Sequence, residues 1–364
     1  MFMFDKIRPI AFYLPQFYPT PENDSWWGKG FTEWTTVSQA KPLFKGHYQP
    51  HLPADLGFYD LRIPEIMEEQ AAMAKDAGLY GFMFYHYWFH GKRFLDLPVN
   101  NMLKSGKPDF PFCLCWANES WTKVWTGKPN QVLQKQEYSF EDDKKHISYL
   151  CREIFNDPRY IKIKGKPLFG IWERKEIPDL VKTVLIWQET AKEYGFPGLY
   201  LVSLDCLSDS VDPALNNLDA VVEIVPDWGI LPKCQKPTVL HKILNKFRIY
   251  RTPFYDHKIM KYEDLSDNCV NRTKPDYKYF PGIAPSWDNT SRRKISNAHV
   301  FHDSTPEKFD RWLNKIIEDF KPYSEEENFI FINAWNEWAE GAHLEPDLKW
   351  GKAYLEVIKK YFNS

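Results

Sequence analysis

Short apolar runs rich in aliphatic and aromatic residues recur along this chain, each followed by a polar or amphipathic stretch. Runs of this kind, bounded by turn signals, read as buried strands. Eight can be placed, at 8–15, 80–87, 110–116, 166–172, 199–204, 220–225, 279–285 and 329–332. Helices are expected at 63–78, near 100–103, and at 142–155, 180–194, 305–320 and 352–362. The first shows why. Ile63, Ile66, Met67, Ala71, Ala74 and Ala77 repeat at close to the helical period, and Gly78 ends the pattern. Residues 229–278 are Lys-rich and read as an inserted loop region with one helix around 254–265. Alternating strands and helices imply a parallel sheet with crossover connections. Eight such units imply an α/β fold, a single (β/α)8 TIM barrel occupying residues 1–364, with long aromatic βα loops. An open doubly wound sheet is the alternative, but the chain has no G-x-G-x-x-G and no phosphate-binding loop to support it.

The long segment 16–59 holds Trp26, Trp27, Glu33, Trp34, His47 and His51. A loop of this length in a compact domain is usually functional. Elsewhere the chemistry collects at strand ends. Strand two ends in His86-Tyr87-Trp88 and strand three in Trp116-Ala117-Asn118-Glu119. Strand seven ends in Trp287-Asp288-Asn289, and strand eight leads to Asn336-Glu337-Trp338-Ala339-Glu340-Gly341. In (β/α)8 barrels the C-terminal strand ends converge on the active site, so His86, Trp88, Trp116, Asn118, Glu119, Trp287, Asp288, Asn289, Asn336 and Trp338 join the six loop residues as candidate glycan contacts. Trp116, Trp287 or both are expected to line a cleft, and Glu119 is the most credible third acid.

Glu337 and Glu340 carry the sharpest signal. An apolar wall and a second carboxylate both raise a carboxyl pKa, which yields one protonated and one ionised acid at neutral pH. Acids are also common at helix starts. Two of them framed by Trp335 and Trp338 favour a catalytic pair instead. Arg292-Arg293 has two readings, a holder for the phosphate of a nucleotide- or lipid-linked sugar and, more often for such a pair, solvated surface. His86 and His90 are four apart at a strand end, not on a helix, so they do not form a metal pair. No ligand spacing is present, and neither a metal nor another cofactor is expected.

Composition narrows the partners. The chain has 15 Trp, 20 Tyr and 26 Phe, more than a core needs. Aromatic rings stack on sugar faces and their polar edges bond hydroxyls. A net charge of −2 offers no pull towards nucleic acid. Six scattered cysteines without C-x-x-C give neither a disulfide framework nor a zinc site. Asp5 and Lys6 follow the start at once and no apolar run approaches the ~20 residues of a membrane span. The expectation is a cytoplasmic protein, or one peripheral to the inner membrane.

Phe12-Tyr13-Leu14-Pro15-Gln16-Phe17, Trp26-Trp27-Gly28-Lys29-Gly30-Phe31-Thr32-Glu33-Trp34 and Gly46-His47-Tyr48-Gln49-Pro50-His51 resemble the WbsX group of bacterial polysaccharide-cluster proteins. So do Tyr85-His86-Tyr87-Trp88-Phe89, Cys115-Trp116-Ala117-Asn118-Glu119, Trp287-Asp288-Asn289-Thr290 and the run from Trp335 to Pro346. That group is similar to glycoside hydrolase family 99. The resemblance implies a (β/α)8 barrel and a retaining, endo-acting α-mannosidase-type chemistry. It makes Glu340 the general acid/base and Glu337 the base that deprotonates the substrate's own 2-hydroxyl. An ordinary retaining enzyme uses a carboxylate nucleophile instead.

Three functions are compatible with these residues. The first is a retaining glycosidic-bond enzyme, a hydrolase or transglycosylase acting on a surface polysaccharide or its precursor. The second is a glycosyltransferase of O-antigen or capsular polysaccharide assembly, using a lipid- or nucleotide-linked sugar. The third is a glycan-binding protein without catalysis, which the intact acid pair argues against.

Overall fold

The computed structural model describes residues 7–123, 128–247, 252–293 and 296–363. Its apolar runs become the parallel barrel strands β1 (Arg8–Tyr13), β2 (Gly81–Phe89), β3 (Phe112–Trp116), β4 (Lys166–Ile171), β5 (Tyr200–Asp205), β6 (Ala220–Glu223), β7 (Tyr279–Phe280 and Gly282–Ile283) and β8 (Phe329–Ile332). Hydrogen bonding runs in the order β7, β6, β5, β4, β3, β2, β1, β8 and back to the second segment of β7. The ring is nearly closed, and it counts nine parallel segments because β7 is interrupted at Pro281. Proline has no N–H to give the ladder, so pairing passes from β6 to β8 across it. Gly282 lets β6 and β7 approach, because a Cβ there would lie 2.1 Å from the Glu223 carbonyl oxygen.

Outside the ring lie α1 (Pro64–Asp76), α2 (Leu97–Ser105), α3 (Phe140–Glu153), α4 (Leu180–Glu193), α5 (Tyr262–Asn271), α6 (Pro306–Asp319) and α7 (Ala353–Phe362). Helix α6 shows the local logic. The Thr305 hydroxyl accepts from the Lys308 N–H at 3.3 Å, Pro306 opens the first turn, and Phe309, Trp312 and Leu313 form the buried stripe. No helix among the described residues is long and apolar enough to cross a membrane.

Two stretches differ from expectation. The loop after β1 contains two short helices, Pro21–Trp27 and Glu33–Val37. In the inserted region the helix expected at 254–265 is instead a strand, Lys258–Lys261, followed by α5, and a further helix spans Val239–Lys246. The strand pairs with His299–His302, about forty residues on, and no local pattern announces that partner. Residues 248–251 of this region lie outside the described residues.

Side chains alternate along each strand, and the parity decides what reaches the barrel mouth. On β2, Tyr85 and Tyr87 face the mouth. His86 and Trp88 face outward against α3: His86 Nε2 meets His146 Nε2 at 3.0 Å, and Trp88 Nε1 donates to Asp142 at 2.9 Å. Trp116 also points outward, against His146 and Trp187, and donates to the Trp88 carbonyl at 3.0 Å. His86, Trp88 and Trp116 are therefore core residues under a helix, not glycan contacts.

This buried imidazole pair makes a pH prediction. Burial lowers the pKa of His146 to about 3 and that of His86 well below its ordinary value, so both stay neutral in the fold. Unfolded, both titrate near 6.5, so below that pH the unfolded chain takes up protons that the folded chain refuses. Stability from the pair is present above about pH 6.5 and is lost as pH falls. Urea midpoints followed from about pH 7.5 to about pH 4.5 should fall less steeply in His146→Gln than in the parent. Equal slopes would remove the pair as the acid-labile element.

Candidate active site

Beyond β8 the chain makes a tight hairpin in which Asn336–Glu337 pairs antiparallel with Ala342–His343. The turn Trp338–Glu340 joins the two arms, and Gly341 closes it at φ 59°, the left-handed region glycine favours. Asn336 ties the hairpin to the end of β1. Its Oδ1 accepts the Leu14 N–H at 2.7 Å and its Nδ2 donates to the Leu14 carbonyl at 3.1 Å. Trp335 and Trp338 are buried on either side, so Glu337 leaves an apolar wall.

Arg292 reaches into the same place from the turn after β7. Its Nη1 lies 2.6 Å from Glu340 Oε1, and its Nη2 lies 3.1 Å from Glu337 Oε2 and 3.3 Å from Glu33 Oε1. Three carboxylates thus share one guanidinium, with Glu33 and Glu337 buried and Glu340 partly open to the cleft. Burial would lower the Arg292 pKa, but Glu33, Glu340 and Glu337 hold it above its ordinary value. Burial raises Glu337 and Glu340, and Arg292 offsets only part of this; Glu33 raises both further. Both carboxyls are thus shifted upward, and they titrate as a pair.

These acids form part of the wall of a cleft of 640 Å³ at the C-terminal end of the barrel, a size suited to a small-molecule or oligosaccharide site. Among the residues singled out from sequence, Trp26, Trp27, Glu119, Trp287, Asn289, Glu337 and Glu340 line it. Glu119 accepts from Trp172 Nε1 at 3.2 Å, and burial raises its pKa. Tyr85, Tyr87 and Arg292 also line it and were not anticipated. The tyrosines could have been found by moving one position along β2. Arg292 carried no local signal.

The remaining expected contacts support the cleft from behind. Glu33 touches it through Arg292. Trp34 is core, packed on Trp338 and donating to the Tyr59 carbonyl at 2.8 Å. Asn118 is a latch between loops, bonded to the Glu173 carbonyl and N–H at 2.8 Å each. His47 donates from Nε2 to Asp288 at 2.5 Å, because its Nδ1 accepts the Leu43 N–H. Burial pushes the Asp288 carboxyl up, but the bonds from His47, Gln49 and the Thr290 N–H leave it below its ordinary value. Asn336 and Trp338 position the hairpin. His51 meets His343 behind Trp338.

Deeper still, the Glu345 carboxylate accepts from Trp338 Nε1 at 2.5 Å, Gln70 Nε2 at 2.6 Å and the Tyr59 hydroxyl at 2.9 Å. Burial pushes this carboxyl up to about 7. Through Trp338 and Tyr59 it braces the backbone on both sides of Glu337, since Asn336 Nδ2 also donates to the Tyr59 hydroxyl at 3.2 Å.

A family model described as Glycosyltransferase WbsX matches residues 9–358. This chain belongs to the WbsX family. It is 38% identical over 352 residues to protein WxcX of Xanthomonas campestris pv. campestris, from two strains, covering 96% of this chain and 49% of that protein. The WbsX chain thus spans about half the length of the curated relatives it matches. In fold it is similar to a glycoside hydrolase-like protein, with TM-score 0.60 and 14% identity over 98% of this chain and 94% of that one. It is similar also to the GH99 endo-alpha-mannosidase of Bacteroides thetaiotaomicron, with TM-score 0.57 and 15% identity over 99% and 96%. WbsX membership and this fold together point to a carbohydrate-active enzyme.

Two substitutions test the layout. Trp27→Ala should weaken glycan binding with little change in melting temperature, whereas Trp116→Ala should cost about 3–5 kcal/mol of stability, as buried large-to-small changes do. Reversed outcomes would exchange cleft and core. Arg292→Met should destabilise by roughly 3–5 kcal/mol near pH 8, because it strands buried carboxylates. The loss should shrink towards pH 5: with the cation gone the folded-state carboxyl pKa values rise further, and such groups stabilise below those values and not above them. A loss independent of pH in denaturant titrations would contradict the ion cluster.

Proposed function

We propose that this WbsX chain acts on glycosidic bonds of a surface polysaccharide or its precursor by a retaining mechanism that uses Glu337 and Glu340. The observation that carries this reading is the acid pair on one guanidinium, raised by burial, in the wall of a tryptophan-lined cleft. One carboxyl delivers a proton to the leaving oxygen. The other, ionised, acts at the sugar either as nucleophile or as base on the 2-hydroxyl. Water or a sugar hydroxyl then accepts the glycosyl group, so hydrolysis and transfer use one site. The family description favours transfer; a lipid- or nucleotide-linked sugar is the donor this reading would use.

The resemblance to glycoside hydrolase family 99 makes Glu340 the acid and Glu337 the base. A second assignment has the roles exchanged, and one observation favours it. Arg292 lies closer to Glu340, at 2.6 Å, than to Glu337, at 3.1 Å, and the nearer cation favours the ionised form of Glu340.

Mass spectrometry of the purified protein incubated with polysaccharide and with sugar donors tests the reaction. New reducing ends mean hydrolysis, consumption of donor means transfer, and binding without turnover sinks the enzymatic reading. Removing a general acid costs ~10²–10⁴-fold, so Glu340→Gln should lose about that on poor leaving groups and less on an activated aryl glycoside. Glu337→Gln should fail on both alike. The opposite leaving-group dependence assigns the acid to Glu337, and full activity in either variant rejects the pair.

A further inference from the structure

Behind the hairpin, three residues from distant parts of the chain meet out of water. His51 comes from the loop after β1, and His343 and Asp347 from the segment after β8. One ligand atom from each lies within 4.8 Å of the others. His51 Nδ1 is 2.8 Å from His343 Nε2, and that nitrogen is 3.8 Å from Asp347 Oδ2. Burial disfavours charge on either imidazole. None of the three lines the 640 Å³ cleft.

The proton positions follow from the partners. His343 Nδ1 is 2.9 Å from the Glu345 carbonyl oxygen and so carries the ring proton. Its Nε2 then presents a lone pair. Asp347 Oδ1 accepts the N–H groups of Lys349 and Trp350 at 2.9 and 2.6 Å, and its Oδ2 turns towards the same Nε2. Two acceptors thus face one point, with at most the His51 proton between them. The Tyr48 ring stacks on His51 at 4.2 Å. The Tyr48 hydroxyl is buried beside Asp347. The Lys349 ammonium is held over the Tyr48 and Trp350 rings at 4.5 Å each.

We propose that His51, His343 and Asp347 bind one divalent transition-metal ion of the Zn²⁺ class, which ties the loop after β1 to the hairpin that bears Glu337. Two nitrogens and one carboxylate suit such an ion; Ca²⁺ and Mg²⁺ want six or more oxygens. The bond from His343 Nδ1 to a backbone carbonyl is the outer contact that fixes a ligating imidazole, and Trp338 stacked at 3.7 Å holds the ring in place. A cavity of 120 Å³ lined by Tyr48, His51 and Lys349 adjoins the group and has room for a water as fourth ligand. His343 lies opposite Asn336 in the hairpin register, one residue from Glu337, so the ion acts on the acid pair by position alone.

The test needs no glycan turnover, so it stands apart from the proposed reaction. Tag-free protein made with trace zinc, manganese, iron, cobalt and nickel is analysed by inductively coupled plasma mass spectrometry. It is then stripped with a chelator and melted with each ion alone. About one equivalent of one ion per chain is expected, with a melting temperature that falls on stripping and recovers with that ion, as for any ligand of the native state. Losing an outer partner alone costs about 10–100-fold in metal affinity, so His51→Gln and Asp347→Asn should bind at least ~100-fold more weakly. Asp347→Asn keeps size and turn geometry, and should melt with the stripped parent and ignore the ion. Less than about a tenth of an equivalent, with no ion raising the parent's melting temperature, overturns the site. Unchanged metal content in both variants overturns it too, by placing the ion elsewhere.

Discussion

One buried cation holds the mouth of this barrel together. Arg292 comes from the turn after β7, Glu337 and Glu340 follow β8, and Glu33 follows β1. Those three strands are neighbours in the ring, so the ion cluster knits three consecutive walls. In so dry a corner neither the guanidinium nor the carboxylates can exist alone at acceptable cost. Their mutual attraction therefore fixes the geometry of the acids, while burial, only partly offset by Arg292, raises the carboxyl pKa values.

The layers behind the cluster serve the same end. Asn336 imitates a strand residue by bonding both polar groups of Leu14. Glu345 gathers Trp338, Tyr59 and Gln70 around one carboxylate. The hairpin is therefore held from below by an amide, from behind by an acid and from the side by an aromatic stack. An acid pair that rests on a four-residue turn needs such support, because a turn alone lets its side chains wander.

Much of this was legible before any coordinates. The apolar runs marked the barrel strands, and the strand-end chemistry marked which rim matters. The failures have specific causes. Composition does not reveal parity, so His86 and Trp88 were chosen on β2 where Tyr85 and Tyr87 face the cleft. Trp116 sits on the last residue of its strand, as a cleft residue would, but on the outward step. Arg292 looked like half of a solvated pair, because the acids that bury it come from positions 33, 337 and 340. His51 and His343 are 292 residues apart, a separation no ligand-spacing rule covers.

The ring order has a consequence for how the molecule is made. β1 lies between β2 and β8, with Arg8 opposite Phe329. One edge of the first strand therefore stays unpaired until Phe329 and its neighbours have been made. An apolar open edge is the kind of surface that recruits other chains. The same late arrival delivers the Asn336 clasp and the acid pair. Ring closure and assembly of the ion cluster are thus one event, and a chain truncated before β8 has neither a sealed sheet nor the acid pair.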